Sequence, residues 1–162
     1  MKDTKRKLLF ELMKDSKKSD RQLAKILGVS QATVSRMRTR LVANGMIKEF
    51  TIIPDFEKLG YELMAITAGR FKIPSSPERI ARGRKWAARF PNVIFVSRTQ
   101  GMGKNAMLIS LHKDYTDYNE FFQNTVSEWA DAIENLESML ISLKGVIVKP
   151  LSFSYLAGQH IT

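Results

Sequence analysis

The chain is predicted to be an α+β protein in two parts, an N-terminal winged helix-turn-helix followed by a C-terminal ferredoxin-like domain of βαββαβ order. Three observations predict it. Two short segments with apolar stripes flank Gly28-Val29-Ser30, where glycine stops one helix and serine opens the next. From Tyr61 onward, extended and helical patterns follow one another as strand, helix, strand, strand, helix, strand. The formal net charge of +10 sits mostly at one end: residues 1–50 hold thirteen Lys/Arg against five Asp/Glu, and the rest of the chain holds thirteen against eleven.

In the first part, Asp3 or Thr4 can cap a helix whose Leu8, Leu9, Leu12 and Met13 form one stripe, and the polar run Asp15-Ser16-Lys17-Lys18 reads as a loop. Ser19 with Gln22 three residues on makes a capping box for a helix of about two turns, in which Leu23, Ala24 and Leu27 face the core. Ser30 then opens a helix in which Val34, Met37 and Leu41 fall at i, i+3 and i+7, and Asn44-Gly45 closes it. Met46–Ile53 is rich in apolar and β-branched residues and is expected as a hairpin wing or a single strand packed on the three helices, stopped by Pro54-Asp55. The expected domains are residues 1–54, a linker at 55–60, and residues 61–162.

A basic first domain should meet a polyanion. The helix after Ser30 carries types suited to duplex DNA: arginine for guanine, glutamine for adenine, threonine for either. The expected DNA-binding set is Ser30, Gln31, Ala32, Thr33, Ser35, Arg36, Arg38, Thr39 and Arg40. An ordinary solvated helix face carries such residues too, and it is the glycine turn and the charge that weigh toward DNA. The three arginines cannot all reach bases, because positions i, i+2 and i+4 project differently. Arg36 and Arg40 share a face and are the first choices, Thr33 is expected beside Arg36, and Arg38 is expected at a phosphate or against the partner helix. Ser19 and Ser30 could offer helix N-terminal amides to phosphate, although capping alone explains both.

In the second part, Tyr61–Phe71 reads as a strand. Ser76-Pro77 opens a helix reaching Phe90, with Ile80, Gly83, Ala87 and Phe90 on one face. Val93–Thr99 and Asn105–Leu111 read as a hairpin around a flexible Gln100–Lys104 loop. Tyr118, Phe122, Thr125, Trp129, Ile133 and Leu136 recur at helical spacing and predict one long helix. Ser138–Leu143 fits either helix or strand, and Val146–Val148 and Ser152–Tyr155 read as extended. Residues 79–104 contain seven basic side chains and no acid, whereas the long helix carries Asp117, Glu120, Glu128, Asp131, Glu134 and Glu137. These faces could meet between subunits or simply be solvated.

Several classes are disfavoured. No segment has transmembrane length and no secretory h-region follows Met1-Lys2-Asp3, so a cytoplasmic protein with no membrane partner is expected. Without cysteine there is no disulfide and no thiolate site. The two histidines, His112 and His160, have no carboxylate or second histidine at ligand spacing, so no metal, no cofactor and no catalytic residue is expected. An RNA-binding ferredoxin-like sheet would show aromatics patterned on its central strands; Phe95 and Phe153 read instead as core.

Asp20–Ser30, followed by Val34–Leu41 and Asn44-Gly45-Met46-Ile47, resembles the helix-turn-helix of the Lrp/AsnC transcription regulators, and Asp55–Gly60 resembles that family's interdomain connector. The resemblance covers roughly residues 4–156. It implies a sequence-specific regulator that binds double-stranded DNA, a ferredoxin-like domain whose sheets pair to make a homodimer, with higher oligomers open, and a small-molecule effector site between subunits. The effector residues it implies are Thr99, Gln100, Gly101, Met102, Gly103, Lys104 and Asn105. Here the sequence departs from the family, whose loop often carries an acidic residue after Thr-Gly; this loop has none and adds Lys104, which favours an anionic ligand. A plain turn also explains the glycines. The alternative within similar proteins is an enzyme decarboxylating haem precursors, which the scarcity of histidine argues against.

Overall fold

The computed structural model describes residues 3–72 and 76–158. They divide into two units, one from residues 3–53 with 149–158 and the other from residues 54–72 with 76–148.

The first unit is built on α1 (Asp3–Lys14), α2 (Asp20–Leu27) and α3 (Gln31–Ala43). Ser19 accepts from the Gln22 amide while the Gln22 side chain accepts from the Ser19 amide, completing the predicted capping box. Gly28 ends α2 at φ +66°, a left-handed conformation that a Cβ would penalise. Ser30 caps α3 through the Thr33 amide. The three stripes meet in one core of Leu8, Leu12, Leu23, Ala24, Val34, Met37, Leu41 and Ile47.

Met46–Ile53 forms no strand among the described residues; Ile47 is buried and bonded to the Leu41 carbonyl, and the rest is exposed. A strand needs a ladder partner, and the β-prone side chains alone do not supply one. Ser152–Tyr155 also departs from expectation. It enters a 3-10 helix, Phe153–Gly158, that packs on α1 and belongs to the first unit rather than the second. There the Ser154 amide donates to Ser152 Oγ at 3.2 Å, a local bond that competes with an extended chain.

The second unit contains β1 (Leu63–Phe71), α4 (Pro77–Ala87), β2 (Val93–Gly101), β3 (Lys104–His112), α5 (Tyr115–Glu128) and β4 (Ile133–Ser142). The order is βαββαβ, and the antiparallel sheet runs β2-β3-β1-β4. The predicted long helix stops at Glu128: Trp129 caps it, and Ile133 and Leu136 lie in β4, which pairs with β1. Their helical spacing with Trp129 is coincidental, because the edge of β1 takes them as its ladder partner. Val146–Val148 forms no strand.

Both helices cover one face of the sheet. Trp86, Leu108, Phe121, Trp129 and Ala132 are buried there, with Phe71, Phe90 and Val93 packed around them. The register sends Met64, Ile66 and Ala68 of β1, Met107 and Ile109 of β3, and Met139 and Ile141 of β4 to the opposite face, which no element of this unit covers. Phe95 pairs with Ile109 on that face and is about half exposed, as is Phe153, so neither is core.

Candidate nucleic-acid interface

Helix α3 buries Val34, Met37 and Leu41 and turns Ala32, Ser35, Arg36, Thr39, Arg40 and Ala43 to solvent. These exposed positions recur at three- and four-residue spacing and therefore form one continuous face. Arg36 lies near its middle and Arg40 one turn on. Neither guanidinium makes an ion pair or hydrogen bond among the described residues, so both are available to a ligand.

The other predicted contacts separate by what the fold does with them. Arg38 faces α2: it donates to the Asp20 carboxylate at 2.8 Å and to the Lys18 carbonyl at 3.1 Å, with its side chain only 25% exposed. Of the two roles expected for it, the geometry supports packing against a neighbouring helix and not a place on the exposed face. Thr33 is half-buried and its Oγ1 sits 2.8 Å from Ser30 Oγ, so both hydroxyls serve the start of the helix. Thr39 donates back to the Ser35 carbonyl at 3.1 Å and keeps its hydroxyl at the surface. Gln31 and Ala32 occupy the exposed first turn.

Sequence reasoning missed Arg21 and Lys25 on α2 and Lys48 beyond α3, all exposed. Three of the five local acids are engaged elsewhere: Asp3 pairs with Lys7, Glu11 with Lys14 and Lys18, and Asp20 with Arg38. Lys14 and Lys18 hold the Glu11 carboxyl below its ordinary range. The excess charge is thus carried by cations without an acidic partner, among them Arg21, Lys25, Arg36, Arg40 and Lys48, which suits a phosphate backbone. The signal was present in the charge count of residues 1–50.

The loop expected to bind an effector is a closed turn. Gly101 pairs with Lys104, and between them Met102 and Gly103 both take positive φ, +52° and +70°, as a two-residue type I′ hairpin requires. Thr99, Gln100 and Gly101 lie in β2 and Lys104 and Asn105 in β3. The Lys104 ammonium, expected to attract an anion, instead bonds Glu137 at 2.8 Å and Asn135 at 2.9 Å, and the Asn105 amide is bonded to both backbone groups of Phe71. Met102 is fully exposed.

The opposing charged faces meet inside one chain: Arg82 pairs with Asp131, Arg89 with Glu128 and Lys104 with Glu137. His112 does have a carboxylate, contrary to the reading from spacing. Its Nδ1 lies 3.2 Å from Asp117 and its Nε2 2.8 Å from Ser110 Oγ, an arrangement that resembles a hydrolytic triad. Ser110 and His112 are wholly buried, however, so no substrate reaches them and the network is structural. No cluster of three metal-ligating side chains occurs among the described residues, and His160 lies outside them.

Comparison with known proteins agrees with this geometry. Residues 1–48 match the model of a winged helix-turn-helix DNA-binding family. An HTH-type transcriptional regulator of Pyrococcus horikoshii is 30% identical over 135 residues, covering 82% of this chain and 84% of the relative. One from Pyrococcus furiosus is 32% identical over 132 residues, again covering 82% and 84%. Among solved structures, an AsnC family transcriptional regulator from Agrobacterium tumefaciens superposes with a TM-score of 0.76 at 22% identity, covering 96% of this chain and 99% of that one. A Neisseria meningitidis transcriptional regulator in complex with L-Met gives 0.76 at 14% identity, covering 96% and 99%. A helix-turn-helix with an unpaired basic face, joined to a βαββαβ unit with the fold of AsnC family regulators and matched along most of its length by relatives of 30% identity or more, identifies the chain as a member of the family of HTH-type transcriptional regulators.

Proposed function

We propose that this DNA-binding transcriptional regulator works as a homodimer in the cytoplasm, reads its operator chiefly through Arg36 and Arg40, and responds to a small-molecule effector without catalysing a reaction. The observation that carries the dimer is the uncovered sheet face. Met64, Ile66, Met107, Ile109, Met139 and Ile141 form a contiguous apolar surface of the kind that a stable oligomer buries. A second copy offers the same surface under two-fold symmetry. Two copies of α3 then meet half-sites about one helical turn of DNA apart, or a multiple of it. Arg21, Lys25 and Lys48 contribute phosphate contacts that position the helix without reading sequence.

The domains follow the division at residues 53–54, with residues 61–148 carrying assembly and the effector response. Support for an effector comes from the methionine complex of the Neisseria relative. No helix among the described residues is long and apolar enough to cross a membrane. Selection of bound fragments from a genomic DNA library by the purified protein tests the reading: recovery of a two-fold symmetric motif is expected, and no enrichment at low salt overturns it.

A further inference from the structure

Helix α4 buries one side chain, Trp86, near its C-terminal end. Trp86 stands against Phe90, Phe121 and Trp129, and Arg82 and Arg89 tie the outer side of this region to Asp131 and Glu128. Ile80 of α4 and Val96 of the edge strand β2 are left partly exposed around a cavity of about 620 Å³. Ligand sites commonly measure roughly 300–1,000 Å³.

The lining is chemically uneven. Ile80, Ala87, Val93 and Val96 make it apolar and no acid lines it, whereas three arginines stand at its wall, Arg79 over the Phe71 ring and, apart from it, Arg84 and Arg98. Neither the Arg84 nor the Arg98 guanidinium has an ion pair or hydrogen bond among the described residues, in a unit where Arg70, Arg82 and Arg89 are each paired with an acid. Gly83 marks the space most clearly. Glycine in a helix interior costs about 1 kcal/mol against alanine. Yet a Cβ built on Gly83 meets no atom within 4 Å, and Gly83 takes no left-handed angle, so neither crowding nor backbone conformation calls for glycine there. Its effect is to leave the room open.

We infer that the cavity between α4 and the sheet binds a small organic carboxylate with an apolar body, its carboxylate held by Arg84 and Arg98 and its body lying over Gly83 against Trp86. This site is separate from the Met102-Gly103 turn and stands whether or not its occupancy alters DNA binding.

Both tryptophans of the chain line the cavity, so their fluorescence reports occupancy directly. The full-length protein is titrated with octanoate and phenylacetate, and with octanol and phenylacetamide as neutral counterparts. Saturable change with the carboxylates is expected, roughly tenfold weaker for the neutral probes because charge-assisted bonds to arginine are lost. Arg84→Gln with Arg98→Gln should erase that preference. Gly83→Leu should abolish binding by filling the space, and Ile80→Trp, a change at a partly exposed position, does the same if the leucine variant misfolds by circular dichroism. Absence of saturation with every probe overturns the site. Wild-type affinity in both filling variants places the ligand elsewhere and also overturns it, and equal binding of charged and neutral probes overturns the ligand class. If the fluorescence change occurs but operator affinity is unmoved, this site stands and the effector response has its seat elsewhere.

Discussion

The Arg38 guanidinium holds the Asp20 carboxylate at 2.8 Å, fastening α3 to the first turn of the helix before it. A second bond to the Lys18 carbonyl fixes the loop that precedes α2, and the Phe50 ring lies 6.0 Å from the guanidinium carbon. Arg36, two residues earlier, points almost the opposite way along a helix of ~100° per residue. Two arginines of one helix thus carry different work.

Arg38→Ala is expected to destabilise the N-terminal unit by roughly 1–3 kcal/mol, because it leaves Asp20 and a half-buried carbonyl without their charged donor. Chemical denaturation of the full chain measures this. Asp20→Asn should lose less, since an amide can still accept the bond. A stable Arg38 variant with altered base preference would instead put Arg38 on the DNA.

Arg36→Ala should leave stability unchanged and cost roughly 1–3 kcal/mol of operator binding, with relaxed preference at one base pair. Binding curves on a set of single-base operator variants check this. Uniform loss on every variant would make Arg36 a phosphate contact, and the salt slope should then fall by about one.

Charge on the open sheet face should dissociate the proposed dimer. Met139→Glu places a carboxylate at a side chain already 64% exposed, so the protomer should keep its fold. Sedimentation at micromolar concentration is expected to show a monomer with much weakened operator binding. An unchanged dimer would move the interface off this face.

Acid should weaken the protein through His112. Burial pushes its imidazole below the ordinary histidine value, and the Asp117 carboxylate offsets this only in part. In the neutral ring Nδ1–H donates to Asp117 while Nε2 accepts from the Ser110 hydroxyl, with the Tyr118 and Phe121 rings packed alongside. Between the lowered folded value and the ordinary value near 6.5, the unfolded chain binds more protons. Stability therefore rises with pH through that window, is complete above about 6.5, and declines as pH falls. Melting temperatures should drop from neutral to mildly acidic pH, and His112→Gln should flatten the slope. A slope that survives the substitution has another source.

Met102→Asn should stabilise the hairpin by about 1 kcal/mol, since asparagine tolerates the left-handed angle that methionine adopts there at a cost. Unaltered operator affinity and assembly in that variant would mark the turn as structural. A change in either would restore it as a functional contact.

The sequence by itself determined the three N-terminal helices, their caps and the stripe that buries Val34, Met37 and Leu41. It also determined the basic face opposite and the βαββαβ order. These are local matters: a capping serine, a glycine at positive φ and a period of three to four residues act within one or two turns of chain. Tertiary structure decided where pairing partners were needed. Ile133 and Leu136 joined β4 because β1 had an open edge, whereas Met46–Ile53, with similar β-prone residues, found no partner and formed no strand. Ser152–Tyr155 coiled against α1 for the same reason, its local serine bonds unopposed by a ladder. Within the candidate site, spacing placed Arg36 and Arg40 on one face and Arg38 off it, but the position of Asp20, eighteen residues before Arg38, decided that Arg38 turns toward α2 rather than to a phosphate. Lys104 was likewise claimed by Glu137, thirty-three residues away on β4, two strands across the sheet. Such long-range contacts depend on how elements pack, and composition and periodicity carry no record of them.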